Sequence, residues 1–157
     1  MRHLALIRAF GMCGTLFAVS GCATGALLEQ ELTKTNTQTV LAFEETVFNK
    51  HEVQEAFEHY VGEGFIEHDA VLAGTGPQAE HAYRALISRG SVDAHRTVER
   101  SIAQGDLVVT QSSWNPGTRD GTATTLSAID IYRLREGRIA EHWDVMAPQQ
   151  AVASTTR

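Results

Sequence analysis

The stretch from Leu126 to Met146 constrains the fold of this chain most, because it has the pattern of two long strands around the turn Glu136-Gly137. Branched and aromatic side chains alternate with polar ones on both sides of that turn. This alternation is typical of paired strands whose two faces differ in chemistry. We therefore predict an antiparallel hairpin here, and its register decides which side chains meet.

Two registers of this hairpin differ in the residues that they pair. A two-residue turn on Glu136-Gly137 sets Asp130 opposite Trp143 and mixes charged and apolar side chains on both faces. A three-residue loop, Arg135-Glu136-Gly137, with a left-handed Gly137 in a bulge, shifts the pairing by one residue and separates the faces. We adopt the second register, which predicts that Asp130 lies directly opposite His142.

In the adopted register the hairpin has one apolar and one polar face. The apolar face comprises Ile129, Ile131, Ile139, Trp143 and Val145, interrupted by Arg133 and Glu141. The polar face comprises Asp130, Tyr132, His142 and Asp144. The polar face is either the solvated back of the sheet or the lining of a cavity that helices close. Exposed charges on a sheet are common, so the pattern alone favours the solvated back.

The N-terminus has the layout of a secretory signal. A basic start precedes an apolar run from Ala9 to Val19, which is too short to span a bilayer as a stable helix. The run ends in Val19-Ser20-Gly21-Cys22, which resembles the lipobox of bacterial lipoproteins. The alternative is an ordinary signal peptide in which the cysteine occurs by chance.

The lipobox resemblance implies processing and a membrane anchor. We predict a lipoprotein signal peptide at residues 1–21, a lipid on Cys22 and a tether at residues 22–36. The protein is then exported and held by its lipid on the periplasmic side of the bacterial cell envelope.

Composition excludes several classes of function. Cys13 and Cys22 are the only cysteines and both lie in or next to the predicted signal, so the folded body has no disulfide, cysteine-ligated metal or cysteine nucleophile. The formal net charge of −6 and the lack of a basic stripe argue against nucleic acid. The spacing of the histidines and aspartates fixes no metal site, so we predict neither a metal nor an organic cofactor.

The remaining pattern predicts helices first and strands later. Helices are expected from Asn36, as N-cap, to Lys50, from about residue 52 to 60, and from Pro77 to about Gly90. Strands are expected at residues 95–103 and 107–114, and from about Thr122 and Arg138. This order indicates an α+β domain at residues 37–147 with a mostly antiparallel sheet, followed by a disordered tail at 148–157.

Several strings resemble the SnoaL-like polyketide cyclase family of the nuclear-transport-factor-2-like superfamily, over about residues 36–147. They are Phe65-Ile66-Glu67-His68, Ala103-Gln104-Gly105-Asp106-Leu107-Val108, Ile129-Asp130-Ile131-Tyr132-Arg133 and Gly137-Arg138-Ile139-Ala140-Glu141-His142-Trp143-Asp144. The resemblance implies a cone-shaped α+β barrel, with three N-terminal helices packed on a curved, mostly antiparallel sheet. It also favours the interpretation in which the polar face lines a cavity.

The resemblance further implies that Asp130 serves as the catalytic acid/base, with His142 or His68 as its partner. The chain departs from the family where relatives often carry histidine, because it has Gln111 and Ser113 on the strand after Gly105-Asp106. A carboxylate in an apolar pocket, with its pKa raised by burial, can take a proton from a carbon next to a carbonyl. We place Tyr132, Gln111, Trp114 and Asp144 among the residues that contact the substrate.

Two classes of function remain open. One is cofactor-independent cyclisation, isomerisation or dehydration of a small apolar carbonyl compound. The other is a non-catalytic, lipid-anchored module that holds a small hydrophobic ligand or a protein partner in the envelope. The predicted location favours this alternative, because an exported cyclase is cut off from polyketide intermediates made in the cytoplasm. In either case the apolar hairpin face predicts a homodimer that forms through the sheet.

Overall fold

The computed structural model describes residues 20–70, 72–117 and 124–149, with side chains from residue 24 onward. The predicted signal peptide up to residue 19 and the predicted tail from residue 150 lie outside the described residues, and of Cys22 only the backbone is described. Within these ranges, helices pack on a curved, mostly antiparallel sheet, which confirms the predicted α+β cone.

The helical elements occupy the first half of the described chain and most of the sheet follows them. The helices are α1 (Ser20–Glu44), a π-helix (Glu45–Asn49), α2 (Val53–Tyr60) and α3 (Pro77–Arg89). The strands are β1 (Val61–Glu67), β2 (Gly74–Thr75), β3 (His95–Gln104), β4 (Leu107–Asn115), β5 (Leu126–Arg135) and β6 (Arg138–Pro148). The predictions of α2, α3, β3 and β4 are confirmed to within a few residues at each end.

Helix α1 is much longer than predicted. Residues 22–36, the predicted tether, are helical, and Asn36 lies inside the helix instead of capping it. The Asn36 side chain is buried, and its amide donates a hydrogen bond to the carbonyl of Gly105 at 3.0 Å. A tertiary contact that the local sequence does not show thus pairs the amide N–H of this residue, whereas its Oδ1 is buried without a partner among the described residues. No helix within the described residues is long and apolar enough to cross a membrane.

The π-helix ties α1 to the edge strand β3. The Asn49 side chain accepts a hydrogen bond from the backbone N–H of Arg96 at 2.8 Å and donates one to the Arg96 carbonyl at 3.0 Å. It therefore pairs with the strand as a neighbouring backbone would. A π-helical turn is wider than an α-helical one and is often found at functional sites. Here it follows directly after the buried Glu44 and holds the backbone of Arg96 in place.

The six strands form one sheet in the order β2-β1-β6-β5-β4-β3. All neighbours are antiparallel except β1 and β6, which run parallel. The parallel pair brings Glu67 beside His142 in the register, although the two residues are far apart in sequence.

The predicted register of the β5–β6 hairpin is wrong. The turn has two residues, because Arg135 pairs with Arg138, and both turn residues have positive φ (Glu136 53°, Gly137 75°). Such a turn matches the twist of the flanking strands. A bulge at Ala140 then shifts the pairing by one residue, in the direction opposite to the predicted shift. As a result Asp130 lies opposite Asp144 and Tyr132 lies opposite His142.

The two faces of the hairpin are nevertheless nearly as predicted, because the bulge restores their separation. The exception is Ile139, which precedes the bulge and lies in the core rather than on the outer face. Asp130 and His142 are buried, whereas Ile129, Ile131 and Val145 are exposed. The polar face therefore packs inward beneath the helices, against the interpretation that it is the solvated back of the sheet.

Candidate active site

The inner face of the sheet and the helices on it enclose a buried cluster of ionisable and hydroxyl side chains that seven elements supply. The cluster consists of Glu44, Glu67, Tyr83, Arg96, Thr110, Ser112, Asp130 and His142, and each is at most 6% exposed. Charged groups are rarely buried unless they are paired, because burial removes their hydration. The contacts within the cluster therefore determine which protonation states are stable.

Arg96 is the central cation of this cluster. Its Nη2 donates to Asp130 Oδ2, its Nε donates to Ser112 Oγ at 2.7 Å, and Nε lies 3.4 Å from Glu44 Oε2. The guanidinium also lies over the ring of Phe48, 4.5 Å from its centroid. Burial opposes the charge of Arg96, but the carboxylates of Asp130 and Glu44 outweigh burial and raise its pKa above the usual value. Arg96 is therefore cationic at every accessible pH.

His142 is held between carboxyl groups on both sides of its ring. Its Nε2 lies 3.2 Å from Asp130 Oδ1, and its Nδ1 lies 2.9 Å from both oxygens of Glu67. The Tyr83 hydroxyl donates to Glu67 at 2.8 Å and fixes that carboxyl, while Tyr132 stacks on the imidazole at 4.5 Å. Burial lowers the pKa of His142, but its hydrogen bonds with Asp130 and Glu67 raise it to about 9. His142 is therefore an imidazolium at neutral pH.

Asp130 is an ionised anchor, contrary to the hypothesis that burial raises its pKa toward neutrality. Burial acts in that direction, but Arg96 and His142 outweigh it and lower the pKa of Asp130 below its usual value. Both carboxylate oxygens are engaged, one by each cation. A carboxylate of low pKa with both oxygens hydrogen-bonded is a weak base.

Asp144 has the electrostatic character that was predicted for Asp130. It lies next to Asp130 on the inner face of the sheet and is only half-buried. Burial and the neighbouring carboxyl of Asp69 raise its pKa to about 7, although the imidazolium of His142 acts in the opposite direction. Asp144 can therefore gain and lose a proton near neutral pH.

These groups meet at a small cavity between the sheet and the helices. Its volume is about 10 Å³, which is enough for roughly one water-sized group. The lining residues are Phe48, Leu72, Tyr83, Leu86, Arg96, Trp114, Asp130, His142, Asp144 and Met146. The cavity thus joins four of the predicted site residues, Asp130, His142, Trp114 and Asp144.

Three other predicted site residues lie elsewhere. Tyr132 is fully buried behind the cavity, where burial and the carboxylate of Glu44 raise its pKa. Gln111 lies on the outer face of β4, because the inward positions of that strand are Thr110 and Ser112. His68 also lies outside, where its ring stacks on Trp143 at 4.5 Å and its Nε2 lies 3.2 Å from Glu141. The structure does not bring His68 or Gln111 to Asp130.

Six members of the cluster were not predicted from the sequence: Glu44, Glu67, Tyr83, Arg96, Thr110 and Ser112. One signal was present for Glu67, because it lies two residues after the buried Phe65 and therefore shares the inward side of β1. A similar signal existed for Arg96, two residues before Val98 on β3. Within the described residues, no group of three or more possible ligands is arranged to hold a metal ion.

The comparisons with known proteins agree with this architecture. The model of the SnoaL-like domain family matches residues 40–142. No curated protein was found to match the chain. Because the family model spans more than half of the sequence, this chain belongs to the SnoaL-like domain family.

Several solved structures share the fold at low sequence identity. A protein assigned as a polyketide cyclase from Bacillus cereus has a TM-score of 0.65 at 20% identity, over 77% of this chain and 80% of its own. A SnoaL-like protein assigned as a polyketide cyclase from Jannaschia sp. CCS1 has a TM-score of 0.59 at 21% identity, over 73% and 87% of the two chains. An epoxide hydrolase from Mycobacterium tuberculosis has a TM-score of 0.60 at 16% identity, over 73% and 84%. At these identities the likeness shows the fold alone.

The raised pKa of His142 makes stability depend on pH in a defined window. The folded state favours the imidazolium more than the unfolded chain does. The contribution of His142 to the free energy of unfolding is therefore complete below pH 6.5 and is lost as the pH rises through about 9. We expect the free energy of unfolding to fall between these values, by on the order of 3 kcal/mol. Urea unfolding at a series of pH values measures this loss.

The matched control for the pH series is His142→Gln, which fills a similar volume and does not titrate. The decline between pH 6.5 and 9 should be much smaller in this variant. Equal declines in the wild type and the variant would contradict the assignment of the imidazolium to the buried cluster.

Proposed function

We propose that this domain catalyses proton transfer on a small, largely apolar carbonyl compound, as in aldol-type cyclisation, isomerisation or dehydration. One observation carries the proposal: a carboxyl group with a pKa of about 7, that of Asp144, lines the same cavity as the fixed ionic cluster. A group that titrates near the working pH is the most effective acid/base catalyst. Removal of a proton from a carbon next to a carbonyl requires no metal and no organic cofactor.

In this proposal Asp144 takes the proton and the buried ions keep its surroundings constant. Two neighbouring carboxyl groups with pKa values that are displaced in opposite directions commonly divide the roles of base and fixed charge. Here the pKa of Asp130 is lowered and the pKa of Asp144 is raised. The sequence-based assignment of Asp130 as the base remains the competing proposal for the same reaction.

The names of the structural neighbours support the same class of chemistry. Two of them are assigned as polyketide cyclases and one is named an epoxide hydrolase. Each of these names describes a reaction of a small organic molecule. For the present chain they support a small-molecule site on the inner face of the sheet.

The proposed roles are testable without the natural substrate, because enolisation exchanges the α-hydrogens of a ketone with solvent. We expect the wild-type protein to accelerate deuterium exchange into small cyclic ketones in D₂O, followed by proton NMR, with a rate that rises through about pH 7. Asp144→Asn should reduce this acceleration by about 10²- to 10⁴-fold. Asp106→Asn, on an exposed aspartate, is the control and should leave the rate unchanged.

Asp130→Asn decides between the two proposed bases. Asp130→Asn removes one partner of a buried ion pair and should lower stability, so exchange is measured at a temperature where circular dichroism shows a folded variant. If Asp144 is the base, the folded Asp130 variant should keep measurable exchange, and its pH profile should shift because a neighbouring charge is lost. Unchanged exchange in Asp144→Asn, together with its loss in Asp130→Asn, would assign the reaction to Asp130 instead.

Non-catalytic ligand binding in the cell envelope is the second candidate function. The small size of the cavity favours it, because about 10 Å³ does not enclose an entire organic substrate. Catalysis therefore requires the side chains of the rim to move, whereas a binding module needs only a contact at the rim. The exchange measurement separates the two functions, because a binding module leaves the rate of exchange at its solvent value.

We also propose that the protein is exported and anchored through a lipid on Cys22 to the periplasmic side of the envelope. The proposal rests on the lipobox-like string that ends at this cysteine. In a bacterial host the wild-type protein should incorporate a radiolabelled fatty acid and sediment with membranes. Cys22→Ser should lose both properties, whereas Cys13→Ser should keep both. Label incorporation by Cys22→Ser would contradict the proposed anchor.

Finally, we propose a homodimer that forms through the outer face of the sheet. Ile102, Ile131 and Trp143 lie in one row across β3, β5 and β6, with Val109 of β4 between Ile102 and Ile131. Ile102 is 70% exposed and Ile131 is 37% exposed. An apolar row of this kind is uncommon on the free surface of a monomer and is typical of an interface.

A charge in the middle of this row tests the dimer. Ile131→Glu buries a carboxylate in the proposed interface and should weaken dimerisation by at least about tenfold, equivalent to about 1.4 kcal/mol. Val92→Glu, at a residue that is 89% exposed and away from the sheet, is the control. Sedimentation equilibrium measures both. A wild-type protein that is monomeric at high concentration would contradict the proposed dimer.

A further inference from the structure

We propose that the indole N–H of Trp114 binds the carbonyl oxygen of the ligand in the cavity, so that the ligand is a neutral ketone or aldehyde. This inference rests on the proposed function, because it names the class of molecule that occupies the same site. It also assigns a role to a polar group that the fold itself leaves unused.

Trp114 points inward from β4 and its side chain is almost completely buried, with 7% of the residue exposed. Its ring packs against Phe48, with 6.0 Å between the centroids. The Nε1 atom is buried, and no described residue accepts a hydrogen bond from it. A buried indole N–H normally has an acceptor, because an unpaired polar group in the interior costs free energy. The lining of the cavity includes Trp114, so a group that enters the cavity can supply the acceptor.

Several other donors that line the cavity are held by protein groups. The Tyr83 hydroxyl donates to Glu67, and both ring nitrogens of His142 lie against carboxylates. Arg96 donates through Nε to Ser112 and through Nη2 to Asp130. Breaking any of these contacts would leave a buried carboxylate or hydroxyl without its partner. Trp114 can donate to a ligand without such a loss.

The surroundings of Trp114 select a neutral acceptor. The lining carries two cations, Arg96 and His142, and two carboxyl groups, Asp130 and Asp144, so it offers no unpaired positive charge to a ligand carboxylate or phosphate. Leu72, Leu86 and Met146 form an apolar wall that suits a hydrocarbon body. The volume of about 10 Å³ accepts one oxygen-sized group, while the rest of the ligand lies toward the more exposed Asp144 and Met146.

A carbonyl fits the proposed chemistry better than other neutral acceptors. As Asp144 removes a proton from the α-carbon, negative charge develops on the carbonyl oxygen. A hydrogen bond from Trp114 then becomes stronger in the transition state than in the ground state. The same geometry therefore serves both ligand binding and turnover.

The chain offers a direct test because Trp114 and Trp143 are its only tryptophans. In ¹⁵N-labelled protein the two indole N–H signals are assigned with the variants Trp114→Phe and Trp143→Phe. Titration with cyclopentanone should move the Trp114 signal downfield and leave the Trp143 signal, from the outer face, in place. The same concentrations of methylenecyclopentane, in which a CH₂ group replaces the carbonyl oxygen on the same five-membered ring, should leave the Trp114 N–H nearly unmoved.

A matched affinity measurement completes the test. Phenylalanine keeps most of the ring of Trp114 but has no N–H, so Trp114→Phe should weaken cyclopentanone binding by about tenfold and change methylenecyclopentane binding little. Equal responses of the Trp114 signal to the two probes, or no response to either, would overturn the inference. A ketone-specific shift in a wild-type protein that does not accelerate α-hydrogen exchange would keep this inference and reject the proposed catalysis.

Discussion

The ion pair between Arg96 and Asp130 is the interaction on which the interior of this domain depends. Both side chains are removed from water, so neither charge is stable there without the other. Ser112 accepts a hydrogen bond from Nε of Arg96, His142 contacts the second oxygen of Asp130, and the π-helix fixes the backbone of Arg96 through Asn49. The inner face of the sheet is therefore a rigid polar surface within an otherwise apolar core. Such a surface is costly to build for stability alone, which is a physical reason to expect a function for it.

The fixed ions of the cluster give two neighbouring carboxyl groups, Asp130 and Asp144, different pKa values. Asp130 is surrounded by cations and stays ionised, whereas Asp144 lies closer to solvent and beside another carboxyl, and therefore binds protons more tightly. The two residues face each other across one strand pair, so the difference arises from their neighbours and not from their depth alone. A fixed charge next to a mobile proton is what acid/base chemistry on a neutral carbonyl compound requires.

The amino-acid sequence alone predicted the architecture and the faces of the hairpin well, because both follow from the spacing of apolar side chains. The hairpin register was wrong because a left-handed Glu136 and a bulge at Ala140 have no clear signature in the residues themselves. The cluster around Asp130 was incomplete for a different reason. Its members come from elements that are distant in sequence, and periodicity cannot show which of these elements pack together. His68 follows the inward-facing Glu67, and Gln111 lies between the inward-facing Thr110 and Ser112. Because neighbouring residues of a strand face opposite sides, a site assignment that is wrong by one position names a residue on the outer face.

The ionisation of the two aspartates is the most direct measure of this account. Carboxyl ¹³C NMR of aspartate-labelled protein, with assignments from Asp130→Asn and Asp144→Asn, gives the pKa of each side chain separately. We expect the Asp144 signal to titrate near pH 7 and the Asp130 signal to stay in its ionised position down to acidic pH, below the usual range for aspartate. A signal of Asp130 that titrates near neutrality, with Asp144 titrating at an ordinary value, would contradict it.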